Sequence, residues 1–136
     1  MASIFSRIIS GEIPAVKVYE DDQVVAFLDI APASKGHTLV VPKQEYQDLL
    51  SVPPELLAVV HHTVQRVAQA IQQALQPHGM NILQNNGTAA GQNVFHYHVH
   101  IIPRWEGDRA LRLWEPKQAT NDDLQMIADL IRVKLV

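Results

Sequence analysis

The sequence contains no cysteine. That absence excludes a disulfide framework and a thiolate zinc centre, and it makes a reducing cytoplasm the expected location. An excess of positive charge is missing too: 11 Lys and Arg against 14 Asp and Glu give a formal net charge of -3. No basic field exists to grip a polynucleotide backbone. Long apolar runs are also lacking, since no segment approaches the roughly 20 residues that a membrane-crossing helix needs. The apolar start is interrupted by Arg7 and Glu12 and has no small-residue cleavage site after it. Internal repeats and low-complexity tracts are absent as well. A soluble, unexported protein with neither polynucleotide nor membrane as partner is the expectation.

What is present has an ordinary globular balance, 47% hydrophobic and 18% charged over 136 residues. That length suits one domain with a real core. Ile4, Phe5, Ile8 and Ile9 have helical spacing up to the breaker Ser10-Gly11. Residues 16–19 and 24–28 are β-rich runs around Glu20-Asp21-Asp22-Gln23, the pattern of a hairpin, and residues 37–41 read as another strand. A polar cap candidate, Ser51, and two prolines precede Glu55. From there Leu56, Val59, Val60, Thr63, Val64, Val67, Ala68, Ile71 and Leu75 keep helical spacing. Residues 80–84 then read as a strand, 85–93 as a Gly/Asn-rich connection and 94–102 as the most strand-like run, stopped by Pro103. A last helix, capped by Thr120 or Asn121, places Leu124, Ile127, Ala128, Ile131 and Leu135 on one stripe. Residues 104–119 fit no element.

The informative feature is His96-Tyr97-His98-Val99-His100-Ile101-Ile102. In an extended chain the three imidazoles fall on one side, while Phe95, Tyr97, Val99 and Ile101 take the other. A face that needed only burial would use Val or Ile. Zinc is one reading of such a row. However, its ligand nitrogens must sit within about 2.1 Å of one ion, and the outer imidazoles of a strand start roughly 13 Å apart. Phosphate chemistry is the other reading. Imidazole, with an ordinary pKa of about 6.5, is largely neutral at pH 7 and attacks phosphorus without a separate base. His98 suits attack because both neighbours can assist it, by donating to phosphoryl oxygens or by fixing its tautomer.

The loop from Asn85 to Asn93 leads directly into this run. Its glycines let backbone amides approach an anion, and Gln92 and Asn93 offer neutral donors. Such a loop is more often ordinary turn chemistry, and only its position beside the histidines raises the functional reading. His37, after Lys35-Gly36, is open to the same two readings, whereas His61, His62 and His78 read as solvated or satisfied residues.

The pattern His-φ-His-φ-His-φ-φ at residues 96–102, with φ apolar and Gly91-Gln92 before it, resembles the signature of the histidine triad (HIT) superfamily. The likeness extends from about Ile4 to Arg104. It includes Gly11-Glu12-Ile13-Pro14, Tyr19-Glu20-Asp21, Ala26-Phe27-Leu28-Asp29-Ile30, Lys35-Gly36-His37 and Val41-Pro42-Lys43.

The resemblance implies an α+β fold with a five-stranded antiparallel sheet, one long central helix and a C-terminal helix, the sheet continuing across a homodimer. Residues 1–136 would form one HIT domain, with core 4–104 and extension 105–136. It further implies a nucleotide-binding hydrolase or transferase in which His98 becomes nucleotidylated, while His96, His100 and His37 assist. Gln92, Asn93 and Asn85 would lie around the phosphate, and Asp29 would hold the ribose hydroxyls. Phe5, Ile8, Ile13, Phe27 and Ile30 would clamp a purine; by position alone these five read equally as core.

One departure stands out. Many similar bacterial proteins carry Cys-x-x-Cys and a further histidine that bind structural zinc with the first triad histidine. Ser3, Ser6 and Glu45 occupy those places here, so no metal and no cofactor are expected. Asn93 stands where Ser or Thr often assists the leaving group, and an amide cannot relay a proton as a hydroxyl can. The alternative to the enzyme is a purine nucleotide sensor or scaffold with little turnover.

Overall fold

The computed structural model describes residues 2–135. Its elements are helix α1 (Ile4–Ile9), strands β1 (Lys17–Glu20), β2 (Val24–Leu28) and β3 (Thr38–Pro42), helix α2 (Pro54–Leu75), strand β4 (Gly79–Leu83), a 3-10 turn (Thr88–Ala90), strand β5 (Val99–Arg104) and helix α3 (Asn121–Arg132). The five strands form one antiparallel sheet in the order β1-β2-β3-β5-β4. This is the α+β architecture expected from the sequence.

Both faces of the sheet are covered, which explains why β2 and β3 read as continuous apolar runs. On one face α2 lays Val60, Val64 and Val67 over Val24, Ala26, Val40, Val99 and Ile101. On the other, Phe5 and Ile8 of α1 pack on Val25, Phe27, Leu39 and Val41. The split between odd and even positions within each strand is the two-residue period of a pleated chain. Asp21 turns the β1–β2 hairpin, its carboxylate accepting the amides of Gln23 and Val24 at 2.8 and 2.9 Å.

Three local expectations need correction. The strand carrying the histidines starts at Val99 and runs through Pro103, rather than spanning 94–102. Residues 94–98 continue the side-chain alternation without a ladder, held by such single bonds as Tyr97 N–H to the Tyr46 carbonyl at 2.6 Å. Pro103 is tolerated because β3 pairs with β5 only as far as Ile101, so no ladder bond on that flank needs the missing N–H. Helix α2 begins at Pro54 with Pro53 as its cap and no side-chain capping bond, while the Ser51 hydroxyl instead donates to the Asp48 carbonyl. Phe95 stays 44% exposed while Tyr97, Val99 and Ile101 are buried.

Helix α3 forms where expected, capped by Thr120, whose hydroxyl accepts the Asp123 amide. Its apolar stripe, however, buries nothing: Leu124, Ile127 and Ile131 are all more than half exposed. No helix among the described residues is long and apolar enough to cross a membrane.

Candidate functional site

The three triad imidazoles lie on the α1 side of the sheet, with Tyr97, Val99 and Ile101 packed on the α2 side. His98 and His100 are ring neighbours, 4.9 Å between centroids, and Phe5 stands edge-on to His98 at 4.9 Å and to His96 at 5.8 Å. Helix α1 is thereby seated directly against the histidine row.

Hydrogen bonds fix the protons on these rings, because a carbonyl can only accept and a backbone amide can only donate. His98 donates its Nδ1–H to the His96 carbonyl at 2.7 Å, which leaves Nε2 with the lone pair in the neutral ring. No group among the described residues hydrogen-bonds to that Nε2. Among the described residues every sealed side-chain nitrogen and oxygen has a partner, so this one is open to solvent. His37 Nδ1 accepts the Ala33 amide at 3.0 Å, so its proton sits on Nε2 and is donated to His100 Nδ1 at 2.9 Å. His100 then carries its own proton on Nε2, again without a protein partner. The row thus offers a lone pair at His98 beside an N–H donor at His100.

Burial holds all four rings in their neutral forms. It is the main cause that depresses His37, His96 and His98 below the ordinary imidazole value. His100 is pushed down to about 4, by burial first and then by His98 and His37. Asp29 partly offsets this at three of the rings. Its carboxylate lies 3.7 Å from His37 Nε2 and also accepts the Ala31 amide at 2.8 Å. Asp29, His37 and His100 place ligand atoms within 4.8 Å of one another, so this trio is the part of the site able to take a divalent cation.

Gln92 has a different place from the one expected of a phosphate donor. It is buried at 3% exposure, with both amide hydrogens donated to the Gln47 and Val94 carbonyls and its oxygen accepting the Gly87 amide. It organises the loop, and its donors are engaged inside the protein. Asn93 is exposed and lines a cavity of about 380 Å³ with Ser3, Ile4, Glu45, Val94 and Phe95. Asn85 is half-buried, close to Gly91.

Of the apolar candidates, Phe5, Ile8 and Phe27 are buried in the α1 cluster, Ile13 packs against it, and Ile30 stands 93% exposed beside Asp29. The first three are therefore core residues. A separate apolar groove of about 390 Å³ lies on the α2 face, among Val18, Leu28, Val67, Ile71 and Leu75. It is across the sheet from the histidines and shares none of their chemistry. His61 donates to or accepts from the Tyr97 hydroxyl at 2.8 Å, and His78 Nδ1 accepts the Glu106 amide.

Sequence reasoning missed the contacts around His96. Its Nε2 donates to the Pro42 carbonyl at 2.8 Å, and its Nδ1 meets the Ser3 hydroxyl at 2.7 Å. The usable signal was Ser3 as a helix cap before Ile4 and Phe5. With two serine hydroxyls where thiolates would stand, this corner lacks the cysteine and histidine set of a structural zinc site; Glu45 and His96 alone are too few ligands for one.

An α+β sheet that sets three alternating imidazoles beside a carboxylate and an apolar wall defines a class of small histidine-based proteins. The HIT domain model matches residues 10–107 of this chain. The chain belongs to the histidine triad family, a family of nucleotide-binding proteins. It is 46% identical to the protein named Hit of Bacillus subtilis, covering 97% of this chain and 93% of that one. It is 42% identical to the adenylylsulfatase HINT3 of Arabidopsis thaliana over 90% of this chain and 61% of that one. The crystal structure of a HIT family member from Bacillus subtilis superposes with a TM-score of 0.94 at 42% identity, covering 100% and 99% of the two chains. A zinc-bound histidine triad protein from Mycobacterium smegmatis is 39% identical, with a TM-score of 0.77 and 98% of each chain covered.

Proposed function

We propose that this protein cleaves purine nucleotide conjugates at the α-phosphate through a nucleotidyl-His98 intermediate and releases a nucleoside monophosphate. The observation that carries the reading is the bond from His98 Nδ1–H to the His96 carbonyl, with Nε2 left open. Nε2 attacks phosphorus and forms a P–N bond while the leaving group departs with the bonding electron pair and takes a proton from solvent water. Water then attacks the same phosphorus, the P–N bond breaks, and His98 is restored.

His100, held as an Nε2–H donor by His37, stabilises the charge that builds on the phosphoryl oxygens. Asp29 binds ribose hydroxyls beside His37. Phe5, Ile8, Ile13, Phe27 and the exposed Ile30 form the purine wall. Asn85 and Asn93 contact the phosphate and leaving-group side, while Gln92 shapes the loop that presents them. Phosphoramidates, acyl adenylates and dinucleoside polyphosphates are the substrate classes that share the gripped half. The name adenylylsulfatase on the Arabidopsis relative agrees with an adenylyl group in that half.

Asn93 supports a second reading, a nucleotide sensor with little turnover, because its amide cannot protonate a leaving group. Incubation with an adenosine phosphoramidate and with a diadenosine polyphosphate, a quench in base and an intact-mass measurement separate the two. An adduct of one nucleotidyl group supports the enzyme; tight monophosphate binding with neither adduct nor turnover rejects it.

We further place the protein in the cytoplasm as a homodimer, one domain per chain, without a resident cofactor. The unpartnered apolar stripe of α3 and the free edge of β4, with Ile82 49% exposed, support the dimer.

A further inference from the structure

The serines at the cap of α1 reach the triad. Nε2 of His96 faces the Pro42 carbonyl and must donate to it, so in the neutral ring Nδ1 is the acceptor and the Ser3 hydroxyl is its donor. The same hydroxyl oxygen accepts the Ser6 amide at 3.0 Å, the capping bond of α1. Glu45 closes the circuit: one carboxylate oxygen accepts the Ser3 amide and the Ser6 hydroxyl, each at 2.8 Å. These two bonds hold its carboxyl below the usual range. Glu45 and His96 lie 3.8 Å apart but form no ion pair, because the buried ring is neutral and a serine stands between them.

We propose that Ser3 and Glu45 are positioning residues for His98: their hydroxyl and carboxylate lock the tautomer and seat of His96, whose carbonyl in turn sets the tautomer of His98. The bond from Ser3 does more than cap a six-residue helix. It ties α1, and with it Phe5 against the His98 ring, to the segment that supplies the nucleophile. The His96 ring is wholly buried, so without the Ser3 hydroxyl its Nδ1 has only the Ser6 hydroxyl within reach, at 3.5 Å and already donated to Glu45. The donor set keeps this corner ordered by hydrogen bonds alone. The inference rests on the reading of His98 as nucleophile for its kinetic consequence, but not for its geometry.

Side-chain 15N NMR of the ligand-free protein reads the tautomers directly. The expected result is protonated Nε2 and bare Nδ1 on His96, with the reverse on His98. In Ser3→Ala, Nδ1 faces Glu45 without its donor, so His96 takes up a second proton at higher pH than in the wild type. Turnover of a nucleotide conjugate should fall about tenfold in kcat, the worth of one supporting hydrogen bond, with KM nearly unchanged. Ser3→Thr keeps the hydroxyl and should restore both readouts. Glu45→Gln, which spares the helix cap, should lower kcat in the same sense. A wild-type His96 with its proton on Nδ1, or Ser3→Ala with unaltered His96 titration and kcat, overturns the proposal. The NMR result stands whether or not any conjugate is cleaved; correct tautomers without a His98 adduct would instead remove the proposed enzyme function and leave the clamp.

Discussion

The carbonyl oxygen of His96 receives the Nδ1–H of His98 at 2.7 Å. A backbone acceptor cannot donate in return, so the proton of the neutral ring is confined to Nδ1 and the lone pair to Nε2. The unpartnered nitrogen is thus nucleophilic before any ligand arrives. Two residues away, His100 has the opposite tautomer because His37 donates to its Nδ1.

His98→Ala therefore removes the proposed attacking atom while leaving the apolar cluster of Phe5, Phe27 and Ile8 in place. Turnover of an adenosine phosphoramidate should fall by about a thousandfold or more, as losses of a nucleophile do. The dissociation constant for AMP, measured by calorimetry, should stay within about threefold of the wild-type value, because the variant loses no charged contact. Retained turnover in the variant would place the chemistry elsewhere.

Acid should weaken both activity and fold. The four rings are depressed in the folded protein, His100 to about 4, while an unfolded chain binds protons near 6.5. Below pH 6.5 the unfolded state holds more protons than the folded state, so stability is intact above that value and is lost as pH falls through the folded values. Calorimetry should show a Tm nearly level between pH 8 and 6.5 and declining toward pH 4, less steeply in His100→Gln. The acid limb of kcat/KM should lie below pH 6.5, since His98 attacks only when neutral. A limb at or above pH 7 would contradict the buried, neutral nucleophile.

Most of the frame was legible in the sequence because burial writes periodicity. Residues 24–28 and 37–41 read as strands since both faces are covered, the second one residue ahead of β3, and the stripe from Leu56 to Leu75 gave α2 to within a turn. The one-sided row of the triad was legible because three of the seven histidines fall within five positions, whereas His37 stayed open to two readings until the resemblance set it with them. The ladder limits of β5 were not legible. They depend on how far β3 and β4 reach alongside it, which no local pattern encodes. Gln92 was read as a phosphate donor because its residue type permits that; its engagement with Gln47 is a contact across 45 positions in sequence. The resemblance brought Ser3 to the corner of the first triad histidine, but its hydrogen bond to His96, across 93 residues, was not legible for the same reason.

Gln92→Ala tests the reassignment of that side chain. The substitution removes the side-chain partner of the Gly87 amide and of the Gln47 and Val94 carbonyls, a loss on the order of 2–3 kcal/mol in unfolding free energy at about 1 kcal/mol for each bond. Denaturant unfolding should show it as a lower midpoint with an unchanged slope. If Gln92 served only as a phosphate donor, stability would be unaffected and nucleotide affinity alone would drop.

Helix α3 supplies the last test. Its sequence is amphipathic, with Leu124, Ile127 and Ile131 at helical spacing, yet these residues are 57%, 52% and 55% exposed. Segment 105–120, without helix or strand, separates the helix from β5. An apolar stripe of three to four turns left in water would forfeit about 1.5–3 kcal/mol for each large side chain it could bury. A second copy is the surface that the proposed homodimer provides. Sedimentation equilibrium should give a dimer for the wild type. The double substitution Ile127→Asp and Ile131→Asp should shift the population toward monomer, with the helix retained by circular dichroism. A wild-type monomer across the micromolar range would remove the dimer from the account; a dimer unaffected by both aspartates would place its interface on the edge of β4, away from α3.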